Sequence, residues 1–191
     1  PIPINTKKRI LGLCQSDTDE INRLAELDIE LGEVFADAIL RMLQESGHSI
    51  REVAAIGSHG QTIRHHSILS NRRFSLQIGD PSTIAFHTGI TTVADFRRMD
   101  IAAQGQGAPL VPAFHDATLR NANESRVIVN IGGMANLTLL TNDDPIIGFD
   151  TGPGNVLMDA WIDKHLDQPW DKNGEWAARG HIIPELLEAW S

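Results

Sequence analysis

The segment 149–155 combines a carboxylate with closely spaced glycines, in the order Phe-Asp-Thr-Gly-Pro-Gly-Asn. It follows an apolar run, so we expect Asp150 just past the end of a strand, where ligands bind in open α/β sheets. Gly152 and Gly154 leave room for a ligand beside the backbone, and a helix N-terminus after them offers unpaired N–H groups. Asp150 is then a general base or metal partner at a cleft, or a residue that only caps the next turn.

A glycine pair, Gly132-Gly133, stands between two apolar runs and predicts the tip of a hairpin. Adjacent glycines can take positive φ and present backbone N–H groups to an anion. An ordinary hairpin turn has the same sequence pattern. Taken together with the Asp150 segment, the pair predicts two glycine-bearing strand ends that face one cleft.

Polar side chains also cluster in the first two thirds of the chain. Two adjacent arginines stand between carboxylates in residues 95–100, a pattern that suits an anionic or hydroxyl-rich ligand. A surface ion-pair cluster, which contributes little energy, has the same pattern. Amides suited to sugar hydroxyls follow between glycines at Gln104 and Gln106. Further polar residues at predicted strand ends are His59, Gln61 and Asp80.

Several classes of function fit the sequence poorly. A formal net charge of −9 disfavours a nucleic-acid partner. The single cysteine, Cys14, excludes a disulfide framework and a cysteine zinc site, and it fits a cytoplasmic location. No metal site is predicted, because the adjacent His65 and His66 point to opposite faces of an extended chain. Neither a P-loop nor a dinucleotide-binding glycine motif is present, and no apolar run is long enough to span a membrane.

The first part of the chain predicts a mixture of helices and strands. Leucines and other apolar residues recur every three or four positions between 17 and 46, which predicts one long helix, capped by Asp17 with Glu20 and ended by Gly47. Short strands are predicted at 53–57, 74–78 and 90–94, and helices at 82–87, with Ser82 as cap, and 110–120.

The second part has a different order. Strands are predicted at 127–129, 136–141 and 146–149, joined by tight turns into a meander, with a helix from about residue 155 to 166. The polar stretch 121–125 predicts a boundary between domains 1–123 and 124–191. The chain is therefore predicted to be a two-domain α/β protein with mixed sheets.

Six segments resemble, in the same order, the anhydro-N-acetylmuramic acid kinase family: residues 58–62, 77–80, 94–102, 105–112, 130–133 and 149–155. That family is similar in architecture to acetate and sugar kinases, heat-shock ATPases and actin. The resemblance implies a two-lobed ribonuclease-H-like (actin-like ATPase) fold, with residues 1–123 forming most of lobe one and 124–191 the start of lobe two. It also implies that the first phosphate loop and the C-terminal part of the family are absent here, so the fold is incomplete and the fragment alone is inactive.

The resemblance further implies a cytoplasmic enzyme of cell-wall recycling that uses ATP, Mg²⁺ and water. Such an enzyme hydrolytically opens 1,6-anhydro-N-acetylmuramic acid and phosphorylates O6, with Asp150 as catalytic base. The implied sugar-side residues are Asp95, Arg97, Gln104, Gln106, His59 and Gln61. The implied phosphate-side residues are Gly132, Gly133, Gly152 and Gly154. Its partners are then an amino sugar and ATP, with a second copy possible as a homodimer.

Other functions remain open at the level of the sequence. A glycoside hydrolase would pair Asp150 with Asp95 or Asp80. A non-catalytic carbohydrate-binding module would keep the fold without turnover. An ATPase of the same superfamily that acts on protein conformation fits the sugar-suited Gln and Arg residues less well.

Overall fold

The computed structural model of the chain describes residues 2–15, 18–66, 72–142 and 144–190. The protein is a mixed α/β structure with small sheets. It divides into two compact units, Pro1–Ala108 and Pro109–Ser191. In the described part of the chain, no helix has the length and apolar character needed to cross a membrane.

The first unit consists of helices and two short sheets. In chain order its elements are α1 (Ile4–Leu13), α2 (Glu20–Ser46), a 3₁₀ turn (Ile50–Glu52), β1 (Ile56–Ser58), β2 (Gln61–His66), β3 (Phe74–Ile78), α3 (Pro81–Thr88), β4 (Thr92–Ala94) and α4 (Phe96–Ala102). Strands β1 and β4 pair in parallel, while β2 and β3 form an antiparallel pair with a bulge at Ile63.

Helix α2 confirms the long helix that the apolar spacing predicts. Its buried residues Leu27 and Leu31 join a core that also contains Ile10, Leu13, Ile63 and Ile78, from α1, β2 and β3. Gly47 ends the helix with φ 72°, a left-handed value that glycine adopts readily. Met42, predicted as part of the same stripe, is 58% exposed and lines an apolar groove of about 500 Å³ beside β1.

Several local predictions in the first unit are wrong in detail. Asp80, not Ser82, caps α3, because its carboxylate accepts hydrogen bonds from the backbone N–H groups of Ser82 and Thr83. The strand predicted at 53–57 begins only at Ile56, where pairing with β4 starts. Asp17 lies outside the described residues, and Asp19 is the residue that precedes α2. Neither α1 nor α4 follows from the apolar pattern.

The second unit is a three-stranded antiparallel sheet with flanking helices. Its elements are α5 (Val111–Leu119), β5 (Arg126–Ile131), β6 (Met134–Leu140), β7 (Ile147–Pro153), α6 (Val156–Leu166), 3₁₀ turns (Lys172–Gly174 and Ala177–Arg179) and α7 (Pro184–Trp190). The strand order β5-β6-β7 confirms the predicted meander, and α6 confirms the helix predicted after it.

Helix α5 belongs to the second unit. The ring Nδ1 of His115 lies 2.9 Å from the Thr138 hydroxyl of β6, and Pro112 lies against Gly148 of β7, where a Cβ would come within 2.2 Å of the proline ring. The compact units therefore divide between Ala108 and Pro109, ahead of the polar stretch 121–125. The assignment of residues 1–123 and 124–191 to two lobes stays a prediction.

Candidate active site

Asp150 lies inside strand β7 rather than just past its end, which corrects the prediction from the sequence. Strand β6 extends far enough to pair with Pro153 and Gly152, so β7 continues through the carboxylate. Asp150 is opposite Asn136, and Thr151 is the extra residue of a bulge. The Thr151 hydroxyl donates to the carbonyl of Ala135 at 3.2 Å. The bulge lets the strand keep its pairing beyond the aspartate.

The Asp150 carboxylate is exposed. Within residues 2–15, 18–66, 72–142 and 144–190 it has no hydrogen-bond or ion-pair partner, so it does not cap the following turn. Strand alternation places it on the face of Gly148, which is the face that α5 covers. An exposed carboxylate without a hydrogen-bond partner in the described residues can accept a proton from a bound water molecule.

The glycine pair is joined directly to the turn that follows Asp150. The backbone N–H of Gly154 donates to the carbonyl of Gly133 at 2.8 Å, and that of Asn155 donates to the carbonyl of Gly132 at 2.9 Å. A Cβ on Gly154 would lie 2.2 Å from the Gly132 carbonyl oxygen, so only glycine fits there. Neither Gly132 nor Gly133 has a positive φ, in contrast to Gly152 at 138°. The pair is therefore not the positive-φ hairpin turn that its sequence suggests.

An orphaned acceptor lies beside this junction. Asn155 Oδ1 is buried and, in the described part of the chain, has no hydrogen-bond partner. Its Nδ2 donates to Asp159 at 3.2 Å, which fixes the orientation of the amide. Sequence reasoning missed Asn155 and Asp159 as site residues, although Asn155 closes the segment 149–155 that drew attention to Asp150.

In the first unit, two of the predicted sugar-side residues share a cavity of about 220 Å³. They are His59, which follows β1, and Asp95, which follows β4. Because these strands are parallel neighbours, their carboxyl ends lie at one sheet edge. The cavity is also lined by Gln77, which was not among the predicted site residues, and by Arg98, the second of the two adjacent arginines. Gln77 lies on β3 and donates from Nε2 to the hydroxyls of Thr62 and Ser75, at 2.9 and 2.7 Å.

The two adjacent arginines have different partners. Successive residues of a helix point in different directions, and both arginines lie on α4. Arg98 forms an ion pair with Asp95 at 3.1 Å and lines the cavity. Arg97 instead donates from Nε to His59 Nε2 at 2.8 Å and from Nη1 to the carbonyl of Gly107 at 2.6 Å. Of the two arginines, Arg98 lines the cavity and Arg97 does not, and a clamp on an anionic ligand stays a prediction.

The remaining predicted sugar-side residues do not line this cavity. Gln61 begins β2, and its Nε2 donates to the backbone carbonyl of Thr62 at 3.0 Å. Gln104 and Gln106 are exposed in the loop after α4, where Gln104 has φ 72°. The structure thus groups His59 with Asp95 and places Gln61, Gln104 and Gln106 elsewhere in the same unit.

Asp80 caps the N-terminus of α3. Burial would raise the pKa of its carboxyl, but hydrogen bonds from the Thr83 hydroxyl and from the backbone of Thr83 and Ser82 outweigh burial, and the pKa is lowered. A carboxylate held ionised by three donors is a poor general acid. Asp80 therefore fits the acid role of a hydrolase pair badly.

The adjacent histidines have structural contacts. His65 Nδ1 lies 3.1 Å from the Ser75 hydroxyl, and the His66 ring stacks on Phe74 with centroids 4.8 Å apart. In the part of the chain that the structure describes, no group of three or more His, Cys, Asp or Glu side chains is placed to hold a metal ion.

Comparison with known proteins places these features in one family. The family profile described as anhydro-N-acetylmuramic acid kinase matches residues 1–190. The chain is 53% identical over 188 residues to an anhydro-N-acetylmuramic acid kinase of Shewanella frigidimarina, covering 98% of this chain and 50% of the relative. It is 54% identical over 187 residues to a kinase of the same name from Shewanella baltica (strain OS223), covering 97% and 50%.

The chain thus spans about half the length of the curated relatives that it matches. The match runs through both compact units and through all six segments that carry the resemblance. These findings confirm the resemblance seen in the sequence, and the chain belongs to the anhydro-N-acetylmuramic acid kinase family.

Proposed function

We propose that this chain is part of an ATP-dependent kinase that opens 1,6-anhydro-N-acetylmuramic acid with water and phosphorylates O6. The products are N-acetylmuramic acid 6-phosphate and ADP, in cytoplasmic cell-wall recycling. The family match supports the substrate and the reaction class. The exposed carboxylate of Asp150, without a protein partner in the described part of the chain, carries the proposed chemistry.

Asp150 acts as the general base in this proposal. It takes a proton from the water that attacks the anomeric carbon, and the bond from that carbon to the bridging oxygen breaks. The released O6 then attacks the γ-phosphorus of ATP, and ADP leaves. A positioned base typically accelerates such a step by about 10²- to 10⁴-fold. Gly132, Gly133, Gly152 and Gly154 are the proposed phosphate-side residues. Among the described residues, nothing lies within 4 Å of a Cβ position at Gly152, so a phosphate oxygen has room beside the backbone there.

Oxygen donors suited to Mg²⁺ lie next to this turn. The orphaned Asn155 Oδ1 and the neighbouring Asp159 carboxylate are ligands of the kind that this ion prefers. These two residues would hold the ion together with phosphate oxygens. When bound, Mg²⁺ supplies positive charge that offsets the charge of the transferring phosphoryl group.

The sugar side of the proposal uses the cavity of the first unit. His59, Asp95, Gln77 and Arg98 line it, and the Arg98 guanidinium, which pairs with Asp95, is the proposed partner of the lactyl carboxylate of the substrate. Gln61, Gln104 and Gln106 remain proposed contacts for sugar hydroxyls. Arg97 supports the site through His59 and Gly107.

We also propose the two-lobed ribonuclease-H-like architecture for the longer family polypeptide, and a homodimer as its assembly. The 191-residue chain alone is proposed to be inactive, because it spans half the length of its relatives. Normal ATP-dependent turnover of the anhydro sugar by the isolated chain would disprove that proposal.

The test uses a chimera in which this chain replaces the matching half of the Shewanella frigidimarina relative. The chimera is supplied with ATP and the anhydro sugar in H₂¹⁸O. We expect ADP and N-acetylmuramic acid 6-phosphate as products, with ¹⁸O in the sugar, because water attacks the anomeric carbon, and no ¹⁸O in the phosphate group. Asp150→Asn should lower kcat by about 10³-fold without changing the unfolding midpoint. Asp163→Asn, on the exposed surface of α6, is the matched control.

The alternatives give different outcomes in the same assay. A glycoside hydrolase would open the sugar without consuming ATP. A carbohydrate-binding module would bind the sugar without turnover. Unchanged turnover in the Asp150→Asn chimera would contradict the assignment of the base.

A further inference from the structure

The backbone of the loop Gln104–Gly107 is hydrogen-bonded to its surroundings at Gln104, Gly105 and Gly107. The loop carries two exposed amide side chains, Gln104 and Gln106. Arg73 Nη1 donates to the carbonyls of Gln104 and Gly105, at 2.7 and 3.2 Å. Because Arg73 immediately precedes β3, these bonds attach the first half of the loop to the β2–β3 hairpin.

Asp100 also contacts the loop. Its Oδ2 accepts the backbone N–H of Gly107 at 2.7 Å, and its backbone carbonyl accepts the N–H of Gly105 at 2.8 Å. The carboxylate also fills the space beside Gly105, where a Cβ would come within 2.1 Å of Oδ2. Asp100 therefore both bonds to the loop and packs against it.

Arg97 ties the end of the loop to the cavity. Its Nη1 donates to the carbonyl of Gly107 at 2.6 Å, and its Nε donates to His59 Nε2 at 2.8 Å. His59 Nδ1 lies 2.9 Å from the carbonyl of Gly60, which can only accept. Nδ1 therefore carries the ring proton and Nε2 is the acceptor, so both contacts are satisfied by one neutral tautomer.

We propose that Arg73, Arg97 and Asp100 are positioning residues that hold the Gln104–Gly107 loop in the conformation that binds ligand, with Arg97 linking the loop to His59 of the 220 Å³ cavity. The inference rests on the proposed function, since it takes the loop amides to contact the sugar. A loop that is already ordered costs less conformational entropy when ligand binds. Loss of this support should therefore weaken sugar binding more than it slows the chemical step.

The steric contact between Asp100 and Gly105 gives the sharpest test, in the chimera defined above. Gly105→Ala introduces a Cβ that overlaps the Asp100 carboxylate, and the φ of Gly105 lies outside the left-handed region, so alanine itself is allowed. We expect each single variant, Gly105→Ala and Asp100→Ala, to raise KM for the sugar about tenfold or more and to change kcat by less than about twofold.

The double variant, Asp100→Ala with Gly105→Ala, separates positioning from general damage. Removal of the carboxylate creates room for the new Cβ, so its KM should match that of Asp100→Ala within about twofold. Asp37→Ala, on the exposed face of α2, is the control and should leave KM unchanged. Additive effects of the two substitutions, or a fall in kcat at unchanged KM, would overturn the proposal.

Hydrogen exchange gives a readout that does not depend on activity. In the same chimera, Asp100→Ala should accelerate exchange of the Gly107 amide by about tenfold or more, because that amide loses its acceptor. Unchanged exchange would also overturn the proposal. The two proposals can fail separately. If the parent chimera is inactive but Asp100→Ala still accelerates exchange of the Gly107 amide, the proposed function is contradicted and the positioning role of Asp100 is supported.

Discussion

Substitution of Gly154 by alanine should separate the turn after β7 from the Gly132-Gly133 pair. The added Cβ would lie 2.2 Å from the Gly132 carbonyl oxygen, and this neighbour is backbone that cannot rotate away. Normal contact requires the two segments to separate by roughly 1 Å. The structure holds them together with two backbone hydrogen bonds, from Gly154 to Gly133 at 2.8 Å and from Asn155 to Gly132 at 2.9 Å.

The expected loss of stability follows from these contacts. Each backbone hydrogen bond contributes about 1 kcal/mol to the free energy of unfolding, and overpacking at a tight contact costs about 1–3 kcal/mol. Loss of both hydrogen bonds together with the overpacking should therefore lower the free energy of unfolding of Gly154→Ala by about 3–5 kcal/mol. That is a large share of the roughly 5–15 kcal/mol that stabilises a typical domain.

Urea unfolding followed by tryptophan fluorescence measures this loss selectively. All four tryptophans of the chain, at 161, 170, 176 and 190, lie in the second unit, which also contains Gly154. The matched control is Gly133→Ala in the same junction, where the nearest atom to a new Cβ is 3.8 Å away. We expect the free energy of unfolding of Gly133→Ala to lie within about 1 kcal/mol of the parent value. Equal midpoints for the two variants would refute the steric reasoning.

Two further predictions concern the first unit. Asp80→Ala should lower the free energy of unfolding by about 1–2 kcal/mol in urea titrations followed by circular dichroism, whereas Asp80→Asn, which still caps the helix, should cost about 0.5 kcal/mol. Because hydrogen bonding lowers the pKa of Asp80 in the folded state, its stabilisation is present above the ordinary carboxyl pKa and is lost as the pH falls through the folded value. The difference in the free energy of unfolding between the parent and Asp80→Ala should therefore become smaller below about pH 4, and a difference that does not change with pH would contradict this assignment. The second prediction concerns Asp28, whose Oδ1 accepts the backbone N–H of Gly79 at 2.6 Å. Asp28→Ala should lower the free energy of unfolding, measured by thermal unfolding, by about 1–3 kcal/mol, whereas Asp37→Ala on the same helix should leave it unchanged; equal losses in the two variants would contradict the bond.

The contact of Asp28 with Gly79 shows a feature that sequence reasoning does not reach. The apolar spacing of α2 correctly identifies Leu27 and Leu31 as core residues, because that pattern is local. The partner of Asp28 is Gly79, 51 residues away in sequence. A periodic pattern shows which face of a helix is polar. It does not show which distant part of the chain, here the backbone N–H of Gly79, will contact that face.

The candidate site shows the same division. The spacing of the glycines singles out Gly154 as a neighbour of the Gly132-Gly133 turn, since meander strands joined by short turns must lie side by side. The position of Asp150 within β7 depends on how far β6 extends and on the bulge at Thr151. Register is a property of the pair of strands, and neither strand encodes it alone.

The amino-acid order predicted the long amphipathic helix and the meander, because each helix or strand shows its apolar pattern within one short segment. The resemblance of six segments indicated the family, which the family profile confirmed. The tertiary structure assigned the two adjacent arginines to different partners, committed Asp80 to a helix terminus and brought Asp100 against Gly105. Those outcomes depend on directions of side chains and on contacts between chain segments that packing alone brings together.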